Sequence, residues 1–149
     1  MDKLIIDGKT HKSPDDYCTL NSSDLQFDAK IVHTAHVEAD GSTFIGHAAQ
    51  VKDKDDIREV LGTLLQDKSL TSATHNSYAY RIRTGENIIE GCKDDQEHGA
   101  GTCLLNQLRE NDQENVITIV SRWCGSKLMG PNRFQVYKDC ANSALDILT

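Results

Sequence analysis

Apolar positions along the chain switch between two periods, and the switches mark its elements. The clearest helical stripe is Ile57, Val60, Leu61, Leu64 and Leu65, spaced i, i+3, i+4, i+7 and i+8. Asp53 stands where an N-cap belongs, and the stripe ends near Asp67. Leu104, Leu105 and Leu108 predict a shorter helix. Tyr137, Cys140, Ala141, Ala144, Leu145 and Leu148 predict a C-terminal one.

Between the stripes the period is two. Residues 30–38 (KIVHTAHVE) alternate weakly and run into Ala39-Asp40-Gly41-Ser42, and 43–51 (TFIGHAAQV) follow, so a hairpin across the Asp-Gly turn is expected. Residues 73–83 (ATHNSYAYRIR) read as a strand. Tyr78, Tyr80 and Ile82 lie on one face, with His75, Ser77, Ala79 and Arg81 on the other. A turn at Thr84–Asn87 leads to a short strand at Ile88–Glu90. Residues 93–102 are a polar loop, and 115–121 (NVITIVS) carry the β-branched run of a buried central strand.

The order β-β-α-β-β-α-β-α predicts an α+β fold. It would be a two-layer sandwich with a mixed, mostly antiparallel sheet and helices on one face. The other face would stay open and offer His75, Ala79 and Arg81 to a partner. Residues 1–29 read as a polar, partly ordered lead-in whose one strand-like run is Leu4-Ile5-Ile6, and 30–149 as a single domain.

Composition narrows the class. The 149 residues are 38% hydrophobic and 26% charged, and no apolar run approaches the ~18 residues needed to span a bilayer. The N-terminus lacks a long apolar core, so a cytoplasmic protein without a membrane role is expected. Five cysteines (Cys18, Cys92, Cys103, Cys124 and Cys140) are an odd count that suits free thiols. None sits in a tight pair. Neither His33-x2-His36 nor Cys92 with His98 has convincing further ligands, so no metal and no cofactor are expected. The formal net charge of −7 opposes non-specific nucleic-acid binding. Residues 121–138 depart from that balance, with Arg122, Lys127, Arg133 and Lys138 and no acid.

Three segments carry more chemistry than their elements need. The first holds His75, Asn76, Tyr80 and Arg81 in one strand, and its plain reading is a hairpin strand with tyrosines in the core. The second holds Asp94, Asp95 and Glu97 just before Gly99 and Gly101. It can cap the following helix, and it has too few oxygens for a Ca²⁺ or Mg²⁺ site. The third is Ser121–Phe134 (SRWCGSKLMGPNRF). Gly125 and Gly130 permit positive φ and close backbone approach, and Pro131 suits a first helical turn. Free N–H groups at that helix start, beside Lys127 and Arg133, can hold a phosphate or carboxylate.

Three functions compete. A non-catalytic module would bind a protein through Arg122, Lys127 and Arg133, aimed by Trp123, Gly125 and Gly130. An RNA or nucleotide-phosphate binder would use the open sheet face and loop 122–133. A small enzyme would need Cys124 as nucleophile, His75 as base and Asp94 or Asp95 as orienter. No hydrolase, zinc-protease or nucleotide fingerprint is present, and a non-catalytic module is expected.

Taken together, the motifs resemble the ancient domain of the Impact family. Those are STFIGHAA at Ser42–Ala49, THN-x-YAYRI, the DD-x-E loop with its glycines, and SRW-x-G-x-x-L-x-GP-x-RF. The resemblance covers about Ser42–Leu148, and Arg122-Trp123 with the Gly-Pro-x-Arg-Phe ending is similar to the eukaryotic branch. It implies a fold like domain 2 of ribosomal protein S5 and a role in translational control and stress signalling. It also implies partners: the ribosome-associated activator of the amino-acid-starvation kinase, and monomeric actin. The residues before Ser42 are too few for the RWD domain that eukaryotic members carry, so the chain is expected to lack it. Gln96 replaces a glycine of the family pattern. Cys124 and Ser126 replace Tyr and Gly, and Asn132 replaces Asp.

Overall fold

The structure is a computed structural model that describes residues 30–149. The lead-in 1–29, with its expected strand at Leu4–Ile6, lies outside the described residues. The first expected strand is divided into β1 (Val32–His33) and β2 (Val37–Ala39), which both pair antiparallel with β3 (Ser42–Gln50). The turn expected at Asp40-Gly41 joins β2 to β3, with positive φ at both residues. Helix α1 (Lys54–Leu65) begins at Asp53, whose side chain accepts from the Asp56 N–H at 2.9 Å. A one-turn helix α2 (Lys68–Thr71) follows, capped by Asp67. It is too short for periodicity to reveal.

Strands β4 (His75–Thr84) and β5 (Asn87–Lys93) form the second hairpin. Helix α3 (Ala100–Glu110), strand β6 (Val116–Trp123) and helix α4 (Arg133–Leu148) complete the chain. The sheet order is β1-β3-β6-β4-β5, with β2 also on β3, and every described pair is antiparallel. The run 115–121 is central, as its β-branched residues imply.

The α+β class and the antiparallel character agree with the sequence reading, but the placing of the helices does not. Helices α3 and α4 cover one face, burying Phe44, Ala48, Ala79, Val120, Leu104, Leu108, Tyr137 and Ala141 together. Helix α1 covers the other, setting Ile57, Val60, Leu61 and Leu64 against Tyr78, Tyr80, Ile82, Ile117 and Ile119. The expected open face therefore does not exist. His75, Ser77 and Ala79 lie on the α3/α4 side and are buried. Small residues there are what close helix packing requires. A Cβ on Gly46 would fall 2.4 Å from the Cys140 carbonyl oxygen of α4, and one on Gly101 2.7 Å from the Lys93 backbone.

Candidate functional site

The acidic loop between β5 and α3 turns inward rather than toward solvent. Asp94 accepts from the N–H groups of Gly99 (3.1 Å) and Gly101 (2.7 Å), which caps α3. Asp95 accepts from the Asn76 N–H at 2.7 Å, and its carbonyl accepts from His75 Nδ1 at 2.9 Å. These bonds bend the loop through positive φ at Asp95 (51°), Gln96 (70°) and Gly99 (89°). Gln96 keeps the backbone turn that a glycine would adopt without strain.

The bend delivers Glu97 into the α3/α4 side of the sheet, where it is 7% exposed. One carboxylate oxygen accepts from Arg122 Nη1 and from the Tyr137 hydroxyl at 2.7 Å. The other accepts from Arg133 Nε at 3.1 Å, while His75 Nε2 stands 3.9 Å from the first. Burial pushes the Glu97 carboxyl up, but the Tyr137 hydroxyl and Arg122 guanidinium outweigh it and hold it below the usual carboxylate range. Arg122, 5% exposed, also donates to Ser42 Oγ and lies over the Phe44 ring at 5.4 Å. Burial, and after it the bond to Glu97, push the Tyr137 phenol up.

This cluster braces the loop after β6. Arg133 reaches back to the Gly130 carbonyl at 3.0 Å, the Cys124 N–H donates to Thr74 Oγ1 at 3.0 Å, and Met129 is buried. A Cβ on Gly125 would meet the Gly41 carbonyl oxygen at 2.1 Å, so this glycine seats the loop on the β2–β3 turn. Gly130 has open space around a would-be Cβ and no positive φ, so the expected close approach occurs at Gly125 alone. Trp123 packs against the α1-side core, and its indole N–H donates to Ser72 Oγ at 3.3 Å. Between these anchors Lys127 is exposed, and Leu128 is 98% exposed.

The predicted residues therefore separate. His75, Asp95, Glu97, Arg122 and Arg133 converge, with Asp94 holding the loop that presents Glu97. Lys127 stands outside the cluster, on the surface. Tyr80 is core and packs against Gly91. Arg81 lies at the far end of β4, paired with Glu90 at 3.1 Å and the Gln113 carbonyl. Pro131 lies in the turn before α4, where the N–H groups of Arg133, Phe134 and Gln135 already donate to residues 130–132. That helix start keeps few donors for an anion. His75 is committed to Asp95 and faces Glu97, so it is not placed as a base for Cys124.

Sequence reasoning named Asn76 as a site residue but missed the polar row that it joins on the α1 side. Asn76 Nδ2 donates to the Leu70 carbonyl, so its Oδ1 accepts from Ser121 Oγ at 2.6 Å. Ser121 then accepts from His47 Nε2 at 2.9 Å, which leaves His47 Nδ1 to accept from His33 Nδ1 at 2.8 Å. Burial, with His33 beside it, drives the His47 pKa down to about 3. No local pattern marks this row, because its members come from β1, β3, β4 and β6.

An antiparallel sheet with helices on both faces, and a buried carboxylate bracing a β6–α4 loop, define the class. Among solved structures, a crystal structure of a hypothetical protein shares the fold, with a TM-score of 0.69, 22% identity, and coverage of 83% of this chain and 63% of that one. The two-domain translational regulator Yih1 aligns at TM-score 0.59 and 27% identity, over 97% of this chain and 56% of its own. The Impact N-terminal domain matches residues 40–145, and the chain belongs to that family. Protein IMPACT of Homo sapiens is 41% identical over 106 residues, and Protein IMPACT-B of Xenopus tropicalis 40% over 117. Those alignments cover 70% and 77% of this chain, but only 33% and 37% of the relatives' length. No helix among the described residues is long and apolar enough to cross a membrane.

Proposed function

We propose that the chain is a non-catalytic binding module in translational control that engages a protein partner through the Cys124–Gly130 loop. The observation that carries this reading is a loop anchored at both ends whose tip carries an exposed Lys127 and a Leu128 that is 98% exposed. A buried ion cluster and a backbone-to-backbone contact at Gly125 fix the loop, so little ordering cost remains when the tip binds. An exposed leucine beside a lysine suits a partner with an apolar pocket rimmed by acids. Likeness to Yih1, described as a translational regulator, supports the pathway. The activator of the amino-acid-starvation kinase and monomeric actin are the partners to test.

The phosphate-binding reading loses most of its cations. Arg122 and Arg133 are on Glu97 and Arg81 is on Glu90, so Lys127 is the one predicted cation without an ion-pair partner among the described residues. The experiment is a binding titration of purified actin and of the activator's binding region against wild type, Leu128→Asp and Lys127→Glu. The Leu128→Asp variant is expected to weaken binding at least tenfold without changing thermal stability. Equal binding by all three overturns the assignment of the loop. Affinity for RNA that falls steeply between about 50 and 200 mM salt would favour the phosphate reading.

A further inference from the structure

Helix α4 carries a second stripe besides the one that packs on the sheet. It follows Val136, Cys140, Ser143 and Ile147, spaced four, three and four residues apart, which is the seam spacing of a helix that packs along another helix. This stripe forms one wall of an open groove of about 490 Å³, and Ala35 and Val37, at the β1–β2 connection, help form the other. Of the four large apolar side chains exposed among the described residues, two border this groove, Val37 (40%) and Ile147 (54%). Cys140 lies buried at its floor. Burial, and after it the Asp139 charge, push the thiol up to about 11, so the floor is uncharged. The groove shares no residue with the Cys124–Gly130 loop.

The charged side chains that line the groove are both acids, Asp139 and Asp146. They lie seven residues apart, so they flank the seam on one side and stand ~10 Å apart along the helix axis. Gln135 donates to Asp139 at 2.9 Å, and neither acid has an ion-pair partner among the described residues. In paired helices the charges at these flanking positions choose the partner and its orientation. Two unpaired carboxylates beside an apolar seam therefore call for two cations at the same spacing. A second copy of the chain does not supply them. An antiparallel copy of α4 would set Asp139 and Asp146 against each other, and a parallel copy would face them with Tyr137 and Ala144, which are buried. We propose that the groove between α4 and the β1–β2 connection is the docking site for an amphipathic helix of a protein partner. That helix carries apolar residues spaced three and four along its buried face, and Lys or Arg at two positions seven apart, set against Asp139 and Asp146.

The test follows the isotope-labelled full chain by nuclear magnetic resonance as a capped synthetic peptide is added. The peptide has about 18 residues, long enough to hold a helix in water, with leucine at the seam positions, lysine at the flanking ones, and alanine or glutamine elsewhere. Amide shifts are expected to concentrate at Val37, Val136, Ser143 and Ile147. Replacing the peptide's lysines with glutamate should weaken binding about tenfold or more, and Asp139→Asn/Asp146→Asn about threefold or more with loss of most of the salt dependence. Ile147→Asp should abolish binding while the thermal midpoint stays within a few degrees. No groove shifts at about 1 mM peptide, a contact weaker than any useful docking, overturn the proposal. Equal binding by the glutamate peptide shows that the acids are not read, and also overturns it. A chain that sediments as a dimer, and that Ile147→Asp makes monomeric, assigns the groove to a second copy and overturns it equally. None of these outcomes depends on the Leu128 measurement, so the two proposals fail separately.

Discussion

Replacing Glu97 with alanine leaves Arg122, 5% exposed, with only Ser42 as a side-chain acceptor and removes the anchor of Arg133. Removing one partner of a buried ion pair costs about 3–5 kcal/mol, because the surviving charge is stranded away from water. The Tyr137 hydroxyl loses its acceptor as well, which keeps the expected cost in the upper half of that range. For a chain of this length that corresponds to a fall of roughly 10–15 °C in Tm. The assay is denaturant unfolding of wild type, Glu97→Ala, Arg122→Met and the double variant. The double variant is expected to be more stable than Glu97→Ala, since it no longer buries a lone guanidinium. A loss below about 1 kcal/mol for Glu97→Ala, or additive single losses, would mean that water already reaches the cluster, and would refute its role as a buried brace. The same group fixes a pH dependence. Its folded pKa is depressed, so its stabilisation is complete above the ordinary value of 4.5 and is lost as pH falls through the depressed folded value. Glu97→Gln should therefore flatten the acid limb of the stability curve.

Three further outcomes follow from other positions. Gln96→Gly, at φ 70°, should stabilise by ~0.5–1 kcal/mol by relieving left-handed strain, read as a higher denaturation midpoint. Gly101→Ala, whose Cβ would press on the Lys93 backbone at 2.7 Å, should cost ~1–3 kcal/mol in the same experiment and loosen α3 from β5. His47 should stay neutral in proton-detected titrations down to pH 5. Its folded pKa of about 3 lies below the unfolded 6.5, so its contribution is present above pH 6.5 and declines toward pH 3; a ring shift titrating near 6.5 would contradict the tautomer assigned to the row.

The sequence by itself determined the local elements. The Ile57–Leu65 stripe, the Asp53 cap, the Asp40-Gly41 turn and, within a residue or two at its ends, the β-branched run 115–121 read correctly because each depends on neighbours within a turn or a few residues. The motif resemblance likewise reached the family and fold, because it rests on residue order alone. Only the tertiary structure decided which sheet face each stripe covers. Periodicity shows that α1 has an apolar side but not whether Tyr78 or Ala79 receives it, and this is how a buried face came to be expected open. It also decided which cations are free. Arg122 and Arg133 looked like site residues because no acid lies near them in sequence. Their carboxylate is Glu97, which reaches them only through a left-handed bend at residues 95–96 and the pairing of β4 with β6. Electrostatic partners are set by distance in space, and a linear pattern carries that information only for elements already known to be adjacent.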